Sequence, residues 1–286
     1  MEKFQLSLFF EILGIGSSSG LVYKDNSLFI ISDNSSFLYE YQIQENKLTK
    51  IKLTENSQEN IPKKDKYDFE SITLKENKLY IFGSGSTSKR EKKFIYNLDN
   101  KKILEKNLSK VYKNLKKETS ISDEDLNIEG AFFNEEDLYL FQRGNGSNSK
   151  NGIAIIDENI KFIAFQLPKI KHIEATFTDA ILVEDKIYFL ATAEDTTSTY
   201  DDGEILGSLI GRIDVKTMTI DFTTKITNKH KFEGLTLYDK TNAKIEFLLC
   251  EDNDTEVLKS SVYKLTLSNK SSFDSLSFGD GLGEEF

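Results

Sequence analysis

Five stretches of the chain repeat one pattern: a short apolar run, a polar turn and a second apolar run. They are SGLVYKDNSLFII (19–31), ESITLKENKLYIF (70–82), EGAFFNEEDLYLF (129–141), TDAILVEDKIYFL (178–190) and EGLTLYDKTNAKIEFLL (233–249). Each reads as a β-hairpin. Their first residues are 51, 59, 49 and 55 positions apart. After each of the first four come two weaker strand candidates, such as FLYEYQI and KLTKIKL in the first unit. Four strands per unit, recurring at this interval, predict an all-β, five-bladed β-propeller.

The fifth unit has only SVYKLTL after its hairpin, one strand short. The N-terminal KFQLSLFFEIL precedes the first unit and has no hairpin of its own. Ring closure resolves both facts: residues 3–12 become the outer strand of the last blade, which removes two open edges. A six-bladed ring is the alternative and requires two merged repeats, but no sixth hairpin is visible. One propeller domain is expected over residues 1–267, followed by a polar, glycine-containing tail (268–286). The insertion at 108–127 is expected to hold a short helix.

Composition bounds the partners. The net charge of −10 opposes nucleic acid and favours cations,. No run approaches the ~20 apolar residues of a membrane helix. Cys250 is the only cysteine, so no internal disulfide is available. The N-terminus MEKFQLSLFFEILGIGS looks like a signal peptide only until Gln5, Ser7 and Glu11 interrupt it,. A cytoplasmic monomer is expected, with export as the alternative.

The first strand of a propeller blade lines the central channel. The aligned first residues are Ser19, Glu70, Glu129, Thr178 and Glu233. Three carboxylates and two hydroxyls would then meet on one axis. Such crowding raises carboxyl pKa values or recruits a cation, and an all-oxygen ligand set suits Ca²⁺ better than Zn²⁺. The opposing reading makes the glutamates solvated rim residues or hydrogen-bond partners of exposed backbone groups on a neighbouring blade. It leaves their shared register unexplained.

These residues resemble a known family. Five blades with Ser, Glu, Glu, Thr and Glu opening successive inner strands look like the calcium-activated apyrases, as do the FEG (232–234) and IEG (128–130) openings. LFQRGNG (140–146) sits where those enzymes carry an arginine-bearing loop. The same short repeats are shared with phytase- and esterase-like propellers and with uncharacterised bacterial propeller families, which this chain resembles most. The resemblance implies a central Ca²⁺ and, on the apyrase side, hydrolysis of nucleoside di- and triphosphates.

The loops after each second strand should form a polar rim above the ring. Arg143 is the candidate catalytic residue there, because its planar fork suits phosphate and Gly144 and Gly146 allow close approach. Lys89 and Arg90 could assist. Asp33, Glu194, Asp195, Asp252 and Asp254 could bind a second cation or orient water, and Asp68 and Asp179 adjoin the ring. His172, His230 and Cys250 match no nucleophile motif. Two functions are therefore carried forward. One is a Ca²⁺-binding propeller with a binding or scaffold role. The other is a Ca²⁺-dependent phosphohydrolase acting on a small anionic ligand or nucleotide.

Overall fold

A computed structural model describes residues 3–148, 150–199, 203–252 and 257–268. The tail from 269 onward and Asp254 lie outside the described residues. The chain forms five four-stranded antiparallel sheets arranged as blades. The inner strands are Ser18–Lys24, Phe69–Lys75, Ile128–Asn134, Thr176–Val183 and Phe232–Lys240. Each inner strand also touches the inner strand of the next blade, and Ser18–Lys24 touches Phe232–Lys240, so the ring is closed.

Closure is made in the fifth blade as expected. The N-terminal strand Lys3–Leu13 pairs antiparallel with Lys259–Ser268, from Lys3 opposite Ser268 to Leu13 opposite Lys259. The first and last strands thus share one sheet, and opening the ring requires breaking that ladder. The predicted insertion helix spans Ser109–Thr119. It buries Tyr112 and Leu115, and the Tyr112 hydroxyl donates to the Gly83 carbonyl at 2.7 Å. No helix among the described residues is long and apolar enough to cross a membrane.

The apolar core is five wedges between neighbouring blades rather than one centre. Phe141, Phe177 and Phe189 fill the wedge between the third and fourth blades. Phe232, Phe247 and Leu265 belong to the next. The near-continuous apolar runs of the hairpins follow from this, because inner strands are covered on both faces. Cys250 is buried in the wedge that joins the last blade to the first, as a small apolar residue,.

One irregularity recurs in every blade. The pairing of the inner strand with its hairpin partner slips between Ser18 and Gly20, Phe69 and Ser71, Ile128 and Gly130, Phe177 and Asp179, and Phe232 and Gly234. The residue skipped is Ser19, Glu70, Glu129, Thr178 and Glu233 in turn. Each aligned ring residue is the extra residue of a β-bulge, a device that bends a strand and re-aims one side chain.

The glycine after the glutamate is required by the neighbouring blade. A Cβ on Gly234 would lie 2.4 Å from Leu21 Cδ2 and 2.5 Å from Cys250 Sγ. A Cβ on Gly130 would sit 3.1 Å from the Ala180 nitrogen. In the fourth blade this position is Asp179, which is buried. Its carboxyl accepts from the Leu235 amide at 2.7 Å and from the Ala180 amide at 2.7 Å. It therefore ties the fourth blade to the fifth. Burial outweighs those two bonds and pushes the Asp179 carboxyl well above its ordinary range,.

Candidate functional site

The five bulges surround one mouth of the channel, and a cavity of about 280 Å³ opens there. Seven carboxylates and five cationic side chains line it, a formal excess of two negative charges. The positions two residues before each bulge supply Ser17, Asp68, Asn127 and Lys231. The ends of the second strands and the loops that follow them supply Asp33, Arg143, Glu194 and Asp252. Sheet geometry brings these sets together. Antiparallel pairing puts the end of each second strand beside the start of the first.

The ring residues divide into two groups. Glu70, Glu129 and Glu233 line the cavity. Ser19 and Thr178 do not. The Ser19 hydroxyl donates to the Phe69 carbonyl at 2.5 Å, and the Thr178 hydroxyl to the Phe232 carbonyl at 2.6 Å. Each hydroxyl thus ties its blade to the residue just before the next blade's glutamate. At equivalent bulges, hydroxyls latch blades while glutamates enter the mouth.

The protein supplies several of its own counter-ions. Arg143 is buried, with Nη1 2.9 Å from Glu129 Oε1 and 3.8 Å from Glu233 Oε1. Its Nη2 pairs with Glu194, and its Nε donates to the Thr176 hydroxyl at 3.2 Å. Lys231 lies 3.0 Å from Glu233 and 3.2 Å from Asp252. Lys66 bridges Asp33 and Asp68, at 2.8 Å from the latter. Arg90 completes the set at 2.7 Å from Asp68 Oδ2.

Sharing is uneven, and the carboxyls respond accordingly. Burial opposes ionisation of Asp68, but Lys66 and Arg90 together outweigh it and hold its pKa below the usual range,. Glu194 is likewise held low, by Arg143 and Lys231 against burial. Burial raises Glu129 and Glu233 despite Arg143 and Lys231. Asp33 is pushed up to about 6, by burial first, with Asp252 and Asp68 adding to it against Lys66. Glu70 rises well above its ordinary value through burial and then the charges of Asp68, Glu129 and Glu233. Lys66 feels its charge from a distance without pairing with it: among the described residues Glu70 has neither an ion pair nor a hydrogen bond.

Free acceptor atoms collect in the same place. Among the described residues, Asp33 Oδ1 and Glu129 Oε2 are buried without a hydrogen-bond partner. One carboxylate oxygen each from Asp33, Asp68 and Glu70 lie within 4.8 Å of one another. Every donor atom in the set is a carboxylate oxygen, the ligand class of a hard cation. Asp33 and Asp68 came into view in the sequence only as rim and neighbour positions. Lys66, 33 residues from Asp33, carried no sequence signal for its place between them.

Other candidates sit apart. Asp195 is half-exposed, 3.9 Å from exposed His172. Lys89 pairs with Asp65 at the surface. His230 Nδ1 lies 2.6 Å from Glu251 and stacks on Phe232, behind the mouth rather than in it.

Comparison with solved structures finds the same fold at low identity. Glutaminyl cyclase of Myxococcus xanthus superposes with a TM-score of 0.52 at 10% identity, covering 92% of this chain and 97% of that one. The major allergen Mala s 1 of Malassezia sympodialis gives 0.52 at 9% identity, covering 93% and 97%. At such identities the likeness extends to the fold alone. Comparison with functionally curated proteins finds no match. Residues 14–267, all five inner hairpins included, match one family throughout: the chain belongs to DUF6929, a family of unknown function.

Proposed function

We propose that this protein is a binding propeller whose channel mouth takes up a hard divalent cation, calcium foremost. The observation that carries this reading is the unpartnered Glu70 carboxyl, in one cavity with the unpartnered oxygens Asp33 Oδ1 and Glu129 Oε2. Four cationic side chains are already committed to their neighbours, yet the lining keeps a negative excess. Glu70 and Asp33, with Asp68 beside them, would hold the ion, Glu129 Oε2 would contribute through water, and water would fill the remaining positions. Glu233 enters through the charge of its pair with Lys231. Bound Ca²⁺ would supply charge neutralisation and an open coordination site for a small anionic or neutral ligand.

The phosphohydrolase alternative asks Arg143 to meet an incoming anion. Its donors already go to Glu129, Glu194 and Thr176, which favours the binding role over the catalytic one. Calorimetric titration with Ca²⁺ after EDTA treatment tests the reading. Heat of binding and a higher Tm are expected for the native chain. Both should be lost in Glu70→Gln, whose metal-free Tm at pH 7 should equal or exceed that of the native chain,. Absence of binding at millimolar Ca²⁺ refutes the site. Phosphate release from nucleotides that stops with EGTA would restore the hydrolase.

A further inference from the structure

Away from the mouth, the charge of the chain reverses. Residues 92–117 carry nine lysines against Asp99 and Glu105, a net of +7 in a chain of net −10, so the remainder holds −17. These residues form the outer half of the second blade, strands Lys92–Asn97 and Ile103–Asn107, and the helix Ser109–Thr119 that follows. Within this stretch and among the described residues, ion pairs join only Lys92 to Glu105, Lys116 to Glu91 and Asp123, and Lys117 to Glu118. Among the described residues Lys93, Lys101, Lys102, Lys106, Lys110 and Lys113 form no ion pair, although the Lys93 ammonium lies over the Tyr80 and Phe82 rings and that of Lys101 over Tyr96.

Two details separate this flank from an ordinary solvated edge. Lys93 and Lys106 stand directly opposite each other across the two strands. A like-charged cross-strand pair destabilises a sheet, and burial together with Lys106 pulls the Lys93 ammonium pKa down. Lysines on outer strands do keep sheet edges from pairing. That purpose explains neither this repulsive pair nor Lys110 and Lys113 on the helix. Next to the pair, Leu104 is 49% exposed and lies opposite Ile95. Strand alternation places Lys102 and Lys106 on the face of Leu104. An apolar spot is thus framed by lysines, on an outer strand with no further strand beside it among the described residues.

We propose that this flank is a docking surface for an extended acidic peptide segment of a partner protein. The segment runs along Ile103–Asn107, its carboxylates meeting the lysines and an apolar side chain resting on Ile95 and Leu104. Charge complementarity and range select the occupant. A narrow peptide feels the local lysines, because screening cuts the field within about 8 Å at physiological salt. A membrane or a nucleic-acid duplex extends beyond that range and meets the −17 of the remaining chain. The peptide's charges also relieve the Lys93–Lys106 repulsion.

Fluorescence anisotropy with a labelled synthetic peptide alternating Glu and Leu tests this on the full chain. Binding at low salt is expected, falling at least about tenfold in roughly 0.5 M salt as screening tightens. The double variant Lys102→Glu/Lys106→Glu should weaken binding by about tenfold or more, since two attractions become repulsions. Folding should survive, because Lys106→Glu places a carboxylate opposite Lys93. Glu70→Gln should leave peptide binding unchanged. No binding at low salt, equal binding by the double variant, or tighter binding of phosphatidylserine vesicles or duplex DNA than of the peptide would each overturn the proposal.

Discussion

Asp33→Asn separates electrostatic cost from function at the channel mouth. In the metal-free protein the Asp33 carboxyl titrates near 6, against 3.8 for the free side chain. The fold therefore holds a proton that the unfolded chain releases. Its contribution to stability is complete below pH 3.8 and is lost as pH rises toward 6,. The difference of 2.2 units amounts to about 3 kcal/mol at 1.36 kcal/mol per unit. The side chain is 21% exposed, and solvent screening brings the expected figure to about 2–3 kcal/mol. Asparagine cannot ionise and keeps an acceptor for Lys66. In EDTA the variant should match the native chain near pH 4 and exceed it by that amount at pH 7. For a chain of this size the gain is about 3–5 °C in Tm. Thermal melts across pH 4–7 in EDTA give the result. In Ca²⁺ the order should shrink or invert, because only the native chain gains a ligand. A stability difference that does not change with pH would refute the reasoning. So would a variant less stable at pH 7, which would show that the pair with Lys66 favours ionised Asp33.

Ser19→Ala and Thr178→Ala should each lower stability by about 1 kcal/mol through loss of an inter-blade hydrogen bond,. Ca²⁺ titration should stay as in the native chain, and a weakening beyond threefold would return those hydroxyls to the ligand set. Gly234→Ala forces a methyl against Leu21, Cys250 and Gly20, at a cost of about 1–3 kcal/mol or more,. A urea midpoint unchanged from the native chain would contradict the closeness of the last blade to the first.

The blade count, the hairpins and the closing N-terminal strand were legible in the sequence because each depends on short-range pattern. Alternation, turn residues and repeat spacing are local properties, and a fifth unit lacking one strand leaves a single economical closure. The shared register of Ser19, Glu70, Glu129, Thr178 and Glu233 was legible for the same reason. The division among them was not. Ser19 and Thr178 occupy the same bulge as the glutamates, but a short hydroxyl reaches the next blade's carbonyl while a longer carboxylate extends into the mouth.

Counter-ions were the least legible feature. Lys231 stands two residues before Glu233 and could have been suspected of pairing with it. Lys66 and Arg90 meet Asp33 and Asp68 only because loops from two blades converge. Arg143 reads in sequence as an exposed anion receptor, and in the structure it is buried among carboxylates. Sequence alone thus determined the ring and the oxygen atoms it presents. Tertiary structure decided which of those atoms remain unpartnered, because Coulomb energy depends on distances between residues far apart in the chain.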